Sequence, residues 1–272
     1  MKAVVLTAAL LCASCAPRAI PLPGGAGTPA TDAADVLASA TRACRAVSTI
    51  SAEIGVSGSA GGRRLRVRLL AGLGAPSNLR LEAVAPFGQP VFILVARDED
   101  ATLFLPRDGR VLEHGRPGEV IDALAGVPLD PASLRIALTG CTAQTSAGDA
   151  TQFGDDWRRI PDGDGDVYFH RENRTAPWRV VAAVHRAAGG GTWRAEYRDF
   201  LRGASADGLP GTVRLSGGDG KGFDLRLSLS QIEINAPFGA DVFTVKVPAG
   251  TRAITLDELR RSGPLAAGGD GS

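Results

Sequence analysis

Alternating apolar and polar residues recur along most of the chain and predict antiparallel β-strands. In residues 64–69, Leu65, Val67 and Leu69 alternate with three arginines, which indicates a strand with one face on a core. Residues 91–95 are continuously apolar, which predicts a strand covered on both faces. The pattern predicts strands at residues 49–56, 64–69, 79–84, 91–97, 101–105, 110–114, 157–160, 165–171, 178–187, 192–200, 211–215, 223–234 and 241–247.

The long strand predicted at residues 223–234 changes phase part-way along. Its apolar residues are odd-numbered up to Leu229 but even-numbered at Ile232 and Ile234. Because one extra residue reverses the face that later side chains present, this change predicts a β-bulge near Ser230.

Helical patterns interrupt the strands in three places. The first helix is predicted at residues 33–47, with Thr31 or Asp32 as its cap. The second is predicted at residues 117–125, and the third begins after Asp130. The last two are short and apolar, so they need an apolar surface to cover. We therefore expect a mainly β protein with one curled sheet whose hollow these helices fill or cap, with a fully packed β-sandwich as the alternative.

Residues 85–90, rich in proline and glycine, separate two predicted strands and predict a hairpin loop. Phe87 lies at its tip, between Pro86 and Gly88. An aromatic side chain on a solvent-facing loop either folds back onto the core or is displayed, and the local pattern leaves both possibilities open.

The first residues have the features of an export signal. Lys2 precedes an apolar run at residues 3–11 that is too short to span a bilayer, and small residues precede Cys15. Small residues before a cysteine resemble the bacterial lipoprotein signal, in which the cysteine is lipidated. An ordinary cleaved secretory signal is the alternative. The next residue is Ala16 rather than the aspartate that retains lipoproteins in the inner membrane of well-studied bacteria, which favours the periplasmic face of the outer membrane.

Composition then divides the chain into four parts. Residues 1–14 are the expected signal peptide, and residues 15–31, rich in Pro, Gly and Ala, are an expected flexible tether. Residues 32–262 are the expected folded domain, and residues 263–272 an expected disordered tail.

Few residues in the expected domain suggest covalent or metal chemistry. Cys44 and Cys141 form a disulfide in an exported protein or remain as two buried thiols. The histidines, His114, His170 and His185, are scattered, so no metal site is expected. No arrangement of these residues suggests nucleophilic catalysis, and there is no phosphate-binding loop. We therefore expect no enzyme activity and no cofactor.

Charge and composition give a weak indication of partners. The net charge of +1 gives no argument for nucleic acid, and aromatics at 5% disfavour stacking on single strands. Arg64, Arg66 and Arg68 point the same way from one strand, which indicates a solvated sheet face, with an anion site as the alternative. The acidic run at residues 161–166 is typical of a polar turn; a calcium loop would need a later carboxylate that is absent.

Three segments, in order, resemble the LolA/LolB lipoprotein-carrier superfamily and, within it, the outer-membrane lipoprotein receptor LolB. Residues 79–94 (LRLEAVAPFGQPVFIL) are similar to a strand, a proline-hydrophobe-glycine loop and a strand. Residues 122–141 (DALAGVPLDPASLRIALTGC) are similar to the helix pair. Residues 192–200 and 209–231 are similar to the late hairpin, whereas residues 235–265 depart from the receptor and look more like the carrier side of the superfamily.

The resemblance implies an open antiparallel β-barrel with a helical lid that binds acyl chains and does no catalysis. It also implies that Pro86, Phe87 and Gly88 form a loop that inserts into the membrane, which favours display of Phe87. The expected cavity and lid residues are Leu94, Leu103, Leu124, Leu134 and Leu138.

We therefore expect a monomeric receptor or carrier, anchored by a lipid, that takes up acyl chains of lipoproteins or another lipid and passes them to the membrane. The alternative is a structural or assembly lipoprotein that binds one protein partner through its sheet surface.

Overall fold

The computed structural model describes residues 19–85, 89–186, 191–203, 206–217, 222–239 and 241–262. The helices in these residues are α1 (Ala33–Arg45), α2 (Pro117–Ala125), α3 (Pro131–Thr139) and α4 (Leu256–Ser262). The strands are β1 (Thr28–Pro29), β2 (Thr49–Ala60), β3 (Arg63–Gly74), β4 (Asn78–Val84), β5 (Ile93–Arg97), β6 (Asp100–Leu105), β7 (Arg110–Gly115), β8 (Thr151–Phe153), β9 (Trp157–Asp162), β10 (Gly165–His170), β11 (Arg179–Arg186), β12 (Thr192–Phe200), β13 (Pro210–Gly217), β14 (Phe223–Ile234) and β15 (Arg252–Ala253).

All of these strands belong to one curled sheet with two free edges, β1 and β15. Strands β2 to β7 form one meander, strands β8 to β14 form a second, and the pairing of β14 with β2 joins them. Every pair is antiparallel except β15 with β7. The protein is therefore mainly β, an open barrel with helical elements rather than a two-sheet sandwich.

The pairing of β14 with β2 contains the predicted bulge. Register runs from Phe223 opposite Ala60 to Ile234 opposite Ile50, with a shift between Ser230 and Glu233. Gln231, inside the shift, has a φ of 49°. The change of phase in the sequence therefore located the irregularity correctly.

Side chains on the concave face form the core. Leu73 and Leu79 are fully buried there, as are Leu94 and Leu103 on the next strands. Val95, which points the other way from Leu94, is also buried, but Val91 and Ile93 on that face are only half-buried, so the predicted cover on both faces is complete only at Val95.

The two helices with predicted aspartate caps begin differently. At α3, Asp130 Oδ1 accepts a hydrogen bond from the Ser133 amide at 2.7 Å, with Pro131 in the first turn, which confirms the predicted cap. At α1, the helix follows Asp32 but its carboxylate makes no cap bond. That carboxylate accepts two hydrogen bonds from Arg158, from Nε at 2.7 Å and Nη2 at 2.8 Å.

The segment before α1 lies against the sheet, although its composition predicted a flexible tether. Thr28 and Pro29 pair with β8. The Ile20 amide donates to Glu196 Oε2 at 3.2 Å, and Arg194 donates to the Ile20 carbonyl. Ile20 and Leu22 also pack on an apolar cluster centred on Tyr168, Val181 and Ala182. The described part of this segment, residues 19–31, is therefore ordered by tertiary contacts that composition does not reveal.

The strand predicted at residues 241–247 is wrong, because the described residues there form turns and irregular chain. In place of a ladder, Arg80 Nη1 donates to the carbonyls of Val242 at 3.0 Å and Thr244 at 2.8 Å. Side-chain hydrogen bonds thus satisfy backbone that a neighbouring strand would otherwise pair. The chain continues into β15 and α4, neither of which the sequence pattern predicted.

The acidic run forms the tight turn between β9 and β10, where Asp162 pairs with Gly165. Asp162 accepts a hydrogen bond from the Thr142 hydroxyl. The polar-turn interpretation is therefore correct.

Candidate functional site

An apolar cavity lies between the concave face of the sheet and the two helices that separate the meanders. Its volume is about 90 Å³. Every lining side chain is aliphatic or aromatic, so none can carry a charge. They come from both meanders, from α2 and α3, and from the chain between these helices: Ile54, Val56, Leu65, Val67, Leu69, Leu81, Phe92, Leu94, Ile121, Leu124, Ala125, Val127, Leu129, Leu134, Leu138, Leu215, Leu225 and Leu227.

Alternation along the central strands supplies the floor of this cavity. Ile54 and Val56 on β2 point inward, as do Leu225 and Leu227 on β14. Leu227 is paired with Val56 in register. Since side chains at i and i+2 share a face, two central strands place a continuous aliphatic surface under the helices.

Two glycines position α2 over this floor. A Cβ on Gly115, just before the helix, would lie 2.6 Å from Val120 Cγ2 and 2.7 Å from Leu112 Cδ2. A larger residue at this position would force Val120 or Leu112 to shift, so Gly115 favours the close approach of α2 to β7. Gly126 ends α2 with a φ of 67°, which turns the chain toward the lining residues Val127 and Leu129.

The cavity opens beside the first half of β3. Leu65, Val67 and Leu69 face the cavity yet remain half-exposed, whereas Leu81 and Leu94 on the next strands are buried. Apolar side chains on a concave face keep such exposure only where nothing packs on them. This part of β3 therefore marks the mouth.

A disulfide fixes one side of the helical cover. Cys44, in α1, is bonded to Cys141, which follows α3, with 5.6 Å between the two Cα atoms. Arg45, one residue on, also donates to the Gln144 carbonyl. The carboxyl end of α3 is thus tied to α1, whereas α2 is held by packing on β6 and α4.

The charged side chains of α2 and α3, Glu119, Asp122 and Arg135, do not line the cavity. Tyr197 packs beside Gly140, at the end of α3, and burial raises the pKa of its phenol. In the part of the chain that the structure describes, no group of three His, Cys, Asp or Glu side chains is placed to hold a metal ion. His170 stacks near Trp157 with ring centroids 4.4 Å apart, and burial lowers its pKa.

Most of the predicted cavity residues line the cavity. Leu94, Leu124, Leu134 and Leu138 do so. Leu103 does not: it is fully buried on β6 within the packed core. Leu103 pairs with Leu94 and faces inward like it. Because α2 packs on β6, however, no empty space borders Leu103.

Cys15 and the loop residues Pro86, Phe87 and Gly88 lie outside the described residues. The sequence interpretation missed the lining residues of β2, β3, β4, β13 and β14, two in α2, and those in the chain before β5 and between the helices. The alternation of these strands could have identified them as inward-facing, but not as neighbours of the cavity.

Two solved structures share this fold. A LolA superfamily protein from Nitrosomonas europaea matches with a TM-score of 0.53 and 13% identity, covering 79% of this chain and 99% of its own. A domain provisionally assigned as an outer membrane lipoprotein-sorting protein, from Vibrio parahaemolyticus, matches with a TM-score of 0.50 and 10% identity, covering 78% and 96%. No protein-family model and no curated protein matches the sequence.

The fold and the cavity together define the class of protein, which is an open β-barrel with an apolar interior beneath two helices. Within that class, the chain has the fold of the LolA superfamily structure and of the lipoprotein-sorting domain. Among the described residues, no helix has the length and apolar character needed to cross a membrane.

Proposed function

We propose that this protein is a non-catalytic, lipid-anchored carrier or receptor of the bacterial cell envelope, which binds acyl chains in the cavity under α2 and α3. The observation that carries the proposal is the wholly apolar lining of a cavity that opens beside β3. Burial of each CH₂ group contributes about 0.8 kcal/mol, so an acyl chain supplies the binding energy without any charged partner. The shared fold supports this proposal, because one of the solved structures with this fold is a domain provisionally assigned as a lipoprotein-sorting protein.

Binding requires the cavity to expand. Its volume of about 90 Å³ exceeds the roughly 10–15 Å³ that one water molecule needs, but lies below the roughly 300 Å³ of small ligand pockets. The elements that can yield are α2 and residues 126–129, because the disulfide ties only α3 to α1. We propose that they move outward as an acyl chain enters at Leu65 and Val67.

The remaining assignments follow from the sequence. Cys15 is the proposed lipid anchor on the periplasmic face of the outer membrane, and residues 32–262 form the proposed folded domain. Phe87, in a loop like that of the LolB receptor, is the proposed contact with the membrane. Burial of one phenylalanine ring is worth roughly 2 kcal/mol, which helps delivery but is too little to anchor the protein alone.

Filling the cavity tests the proposal. Ala125 lines the cavity at the end of α2 and is half-buried, so Ala125→Phe puts a ring into the space an acyl chain would use. We expect at least a tenfold loss of affinity for a fluorescent fatty acid, with little change in melting temperature. Ala38→Phe, at an exposed position of α1, is the matched control and should bind like the wild type.

Native mass spectrometry of the purified protein provides a second measurement. Bound lipid supports the proposal, whereas a protein that never carries lipid and binds no fatty-acid probe contradicts it. Cross-linking in cells distinguishes a carrier from the alternative, an assembly lipoprotein. A carrier should be cross-linked transiently to many lipoproteins, whereas an assembly lipoprotein should be cross-linked to one stable protein partner.

A further inference from the structure

The outer face of the sheet carries rows of arginine that cross five strands. One row follows the strand pairing from β12 to β3, each residue lying opposite the next: Glu196, Arg214, Arg226, Ser57 and Arg66. A parallel row leads from Arg194 to Arg64, and another from Arg198 to Arg68. Seven arginines therefore share one surface, which we call the arginine face: Arg64, Arg66, Arg68, Arg194, Arg198, Arg214 and Arg226.

Most of these arginines have acidic neighbours, but two do not. Arg68 pairs with Glu53 at 3.3 Å, and Arg226 lies 3.9 Å from Asp199. Within the described chain, Arg64 and Arg66 are exposed and form no ion pair or hydrogen bond. The β3 end of the arginine face therefore has positive charge that the described residues do not neutralise.

Exposed apolar side chains border that end. Leu70 and Val84 are the large hydrophobic residues recorded as exposed in the described chain, at 46% and 36%. Val84 pairs with Arg68, whereas Leu70, two residues further along β3 on the same outer face, lies in register between Glu53 and Glu82. Basic and apolar groups side by side match an anionic lipid surface, which offers phosphate charge and hydrocarbon at its boundary.

The amino-terminal segment leaves the barrel from the same face. The Ile20 amide is bound to Glu196, which is almost completely buried, and the Ile20 carbonyl accepts from Arg194. Cys15 lies five residues earlier, so the extended chain between them spans at most about 18 Å. A lipid on Cys15 would thus hold this face close to the bilayer.

From these observations we infer that the arginine face docks the barrel on anionic phospholipid headgroups, through Arg64 and Arg66, with Val84 as the apolar side chain next to the row of arginines on β3. The inference rests on the proposed function, since it takes Cys15 as the lipid anchor. To the lipid on Cys15 and to Phe87 it adds a third contact with the membrane, which is electrostatic and weakens with salt.

Vesicle binding tests the inference with the full-length chain carrying Cys15→Ala, which cannot be lipidated. Affinity is measured for phosphatidylcholine vesicles with and without phosphatidylglycerol, and the ratio cancels the contribution of the apolar signal segment. Each basic residue near an anionic surface contributes about 1 kcal/mol of binding free energy. Because about 1.4 kcal/mol corresponds to a tenfold change in affinity, Arg64→Gln/Arg66→Gln should lower this ratio by about thirtyfold. The matched control, Arg42→Gln/Arg116→Gln, removes two exposed arginines on the helical side and should leave it unchanged.

Three results would overturn the inference: equal binding to neutral and anionic vesicles, an equal loss in the control, or no anionic binding by the parent chain. The last would rule out a lipid surface as the partner of the arginine face. Binding of the fluorescent fatty acid is measured in the same samples. Its loss would contradict the carrier function, whereas a change in vesicle affinity alone concerns only the arginine face.

Discussion

At the scale of single residues, Arg158 shows how this barrel accommodates a charge in its interior. Its side chain is only 6% exposed and its guanidinium lies 4.9 Å from the centre of the Trp178 ring. Nη1 donates to the Trp157 carbonyl at 2.8 Å, and the Asp32 carboxylate supplies the opposite charge. Since a buried charge without a partner is costly, Asp32 is needed by Arg158 rather than by the helix it precedes.

The same ion pair makes stability depend on pH. Its hydrogen bonds with Arg158 hold the pKa of Asp32 below its ordinary value. A carboxylate with a lowered pKa stabilises the fold above its unfolded pKa of about 3.9, and that contribution is lost as the pH falls through the folded value.

We therefore predict that Asp32→Asn lowers the free energy of unfolding by about 1–2 kcal/mol at pH 7, the range for a hydrogen bond to a charged group with partial exposure taken into account. The difference from the wild type should shrink as the pH falls below about 4. Urea unfolding at several pH values measures both effects. Asp122→Asn, exposed on α2, is the control, and a difference that stays constant with pH would contradict the assignment.

At the scale of elements, the disulfide joins two helices that the sequence keeps far apart. Cys44 and Cys141 are separated by 97 residues, including the whole first meander and α2. A bond across so long a loop removes much conformational freedom from the unfolded chain. It also leaves α3 fixed while α2 depends on packing against β7, β6 and α4.

We predict that reduction of this bond lowers the free energy of unfolding by about 3–5 kcal/mol, as expected for a loop of roughly a hundred residues. Urea denaturation with and without dithiothreitol measures the effect. The double variant Cys44→Ser/Cys141→Ser should match the reduced wild type and be indifferent to the reductant. Equal stability of the oxidised and reduced wild type would contradict the prediction.

At the scale of the whole molecule, the central strands are long and paired on both sides, whereas α2, over the cavity, is short. Strands β2 and β3 are each paired along their full length, from Thr49 opposite Gly74 to Ala60 opposite Arg63. By contrast α2 has nine residues and ends at Gly126. Local opening should follow this difference, because segments with fewer hydrogen-bonded neighbours unfold at lower free energy.

Amide hydrogen exchange should therefore be faster in α2 and residues 126–129 than in the centres of β2 and β3. Saturation with a fatty acid should change exchange in α2 and the lining strands, and leave β9 to β11 unaffected. Exchange followed by mass spectrometry gives both comparisons. A ligand effect confined to the distant strands β9 to β11 would place the binding site elsewhere. It would contradict the proposed movement of α2 and residues 126–129.

The sequence by itself determined most of the local structure. Most of the strands, the two apolar helices, the Asp130 cap and the bulge near Ser230 depend on residues within a few positions of one another. Strands β1, β8 and β15, of two or three residues each, and the seven-residue α4 are too short to leave a periodic pattern, so they were not predicted. The strand predicted at residues 241–247 is irregular chain.

Only the tertiary structure decided which inward-facing residues border empty space. Leu94 and Leu103 have the same periodicity and pair with each other, yet only Leu94 lines the cavity, because α2 packs over β6. Likewise, residues 19–31 have the composition of a linker, and contacts with residues more than 170 positions away hold Ile20 on the outer face. Periodicity reports which side of an element is apolar, whereas distant segments of the chain determine what covers that side.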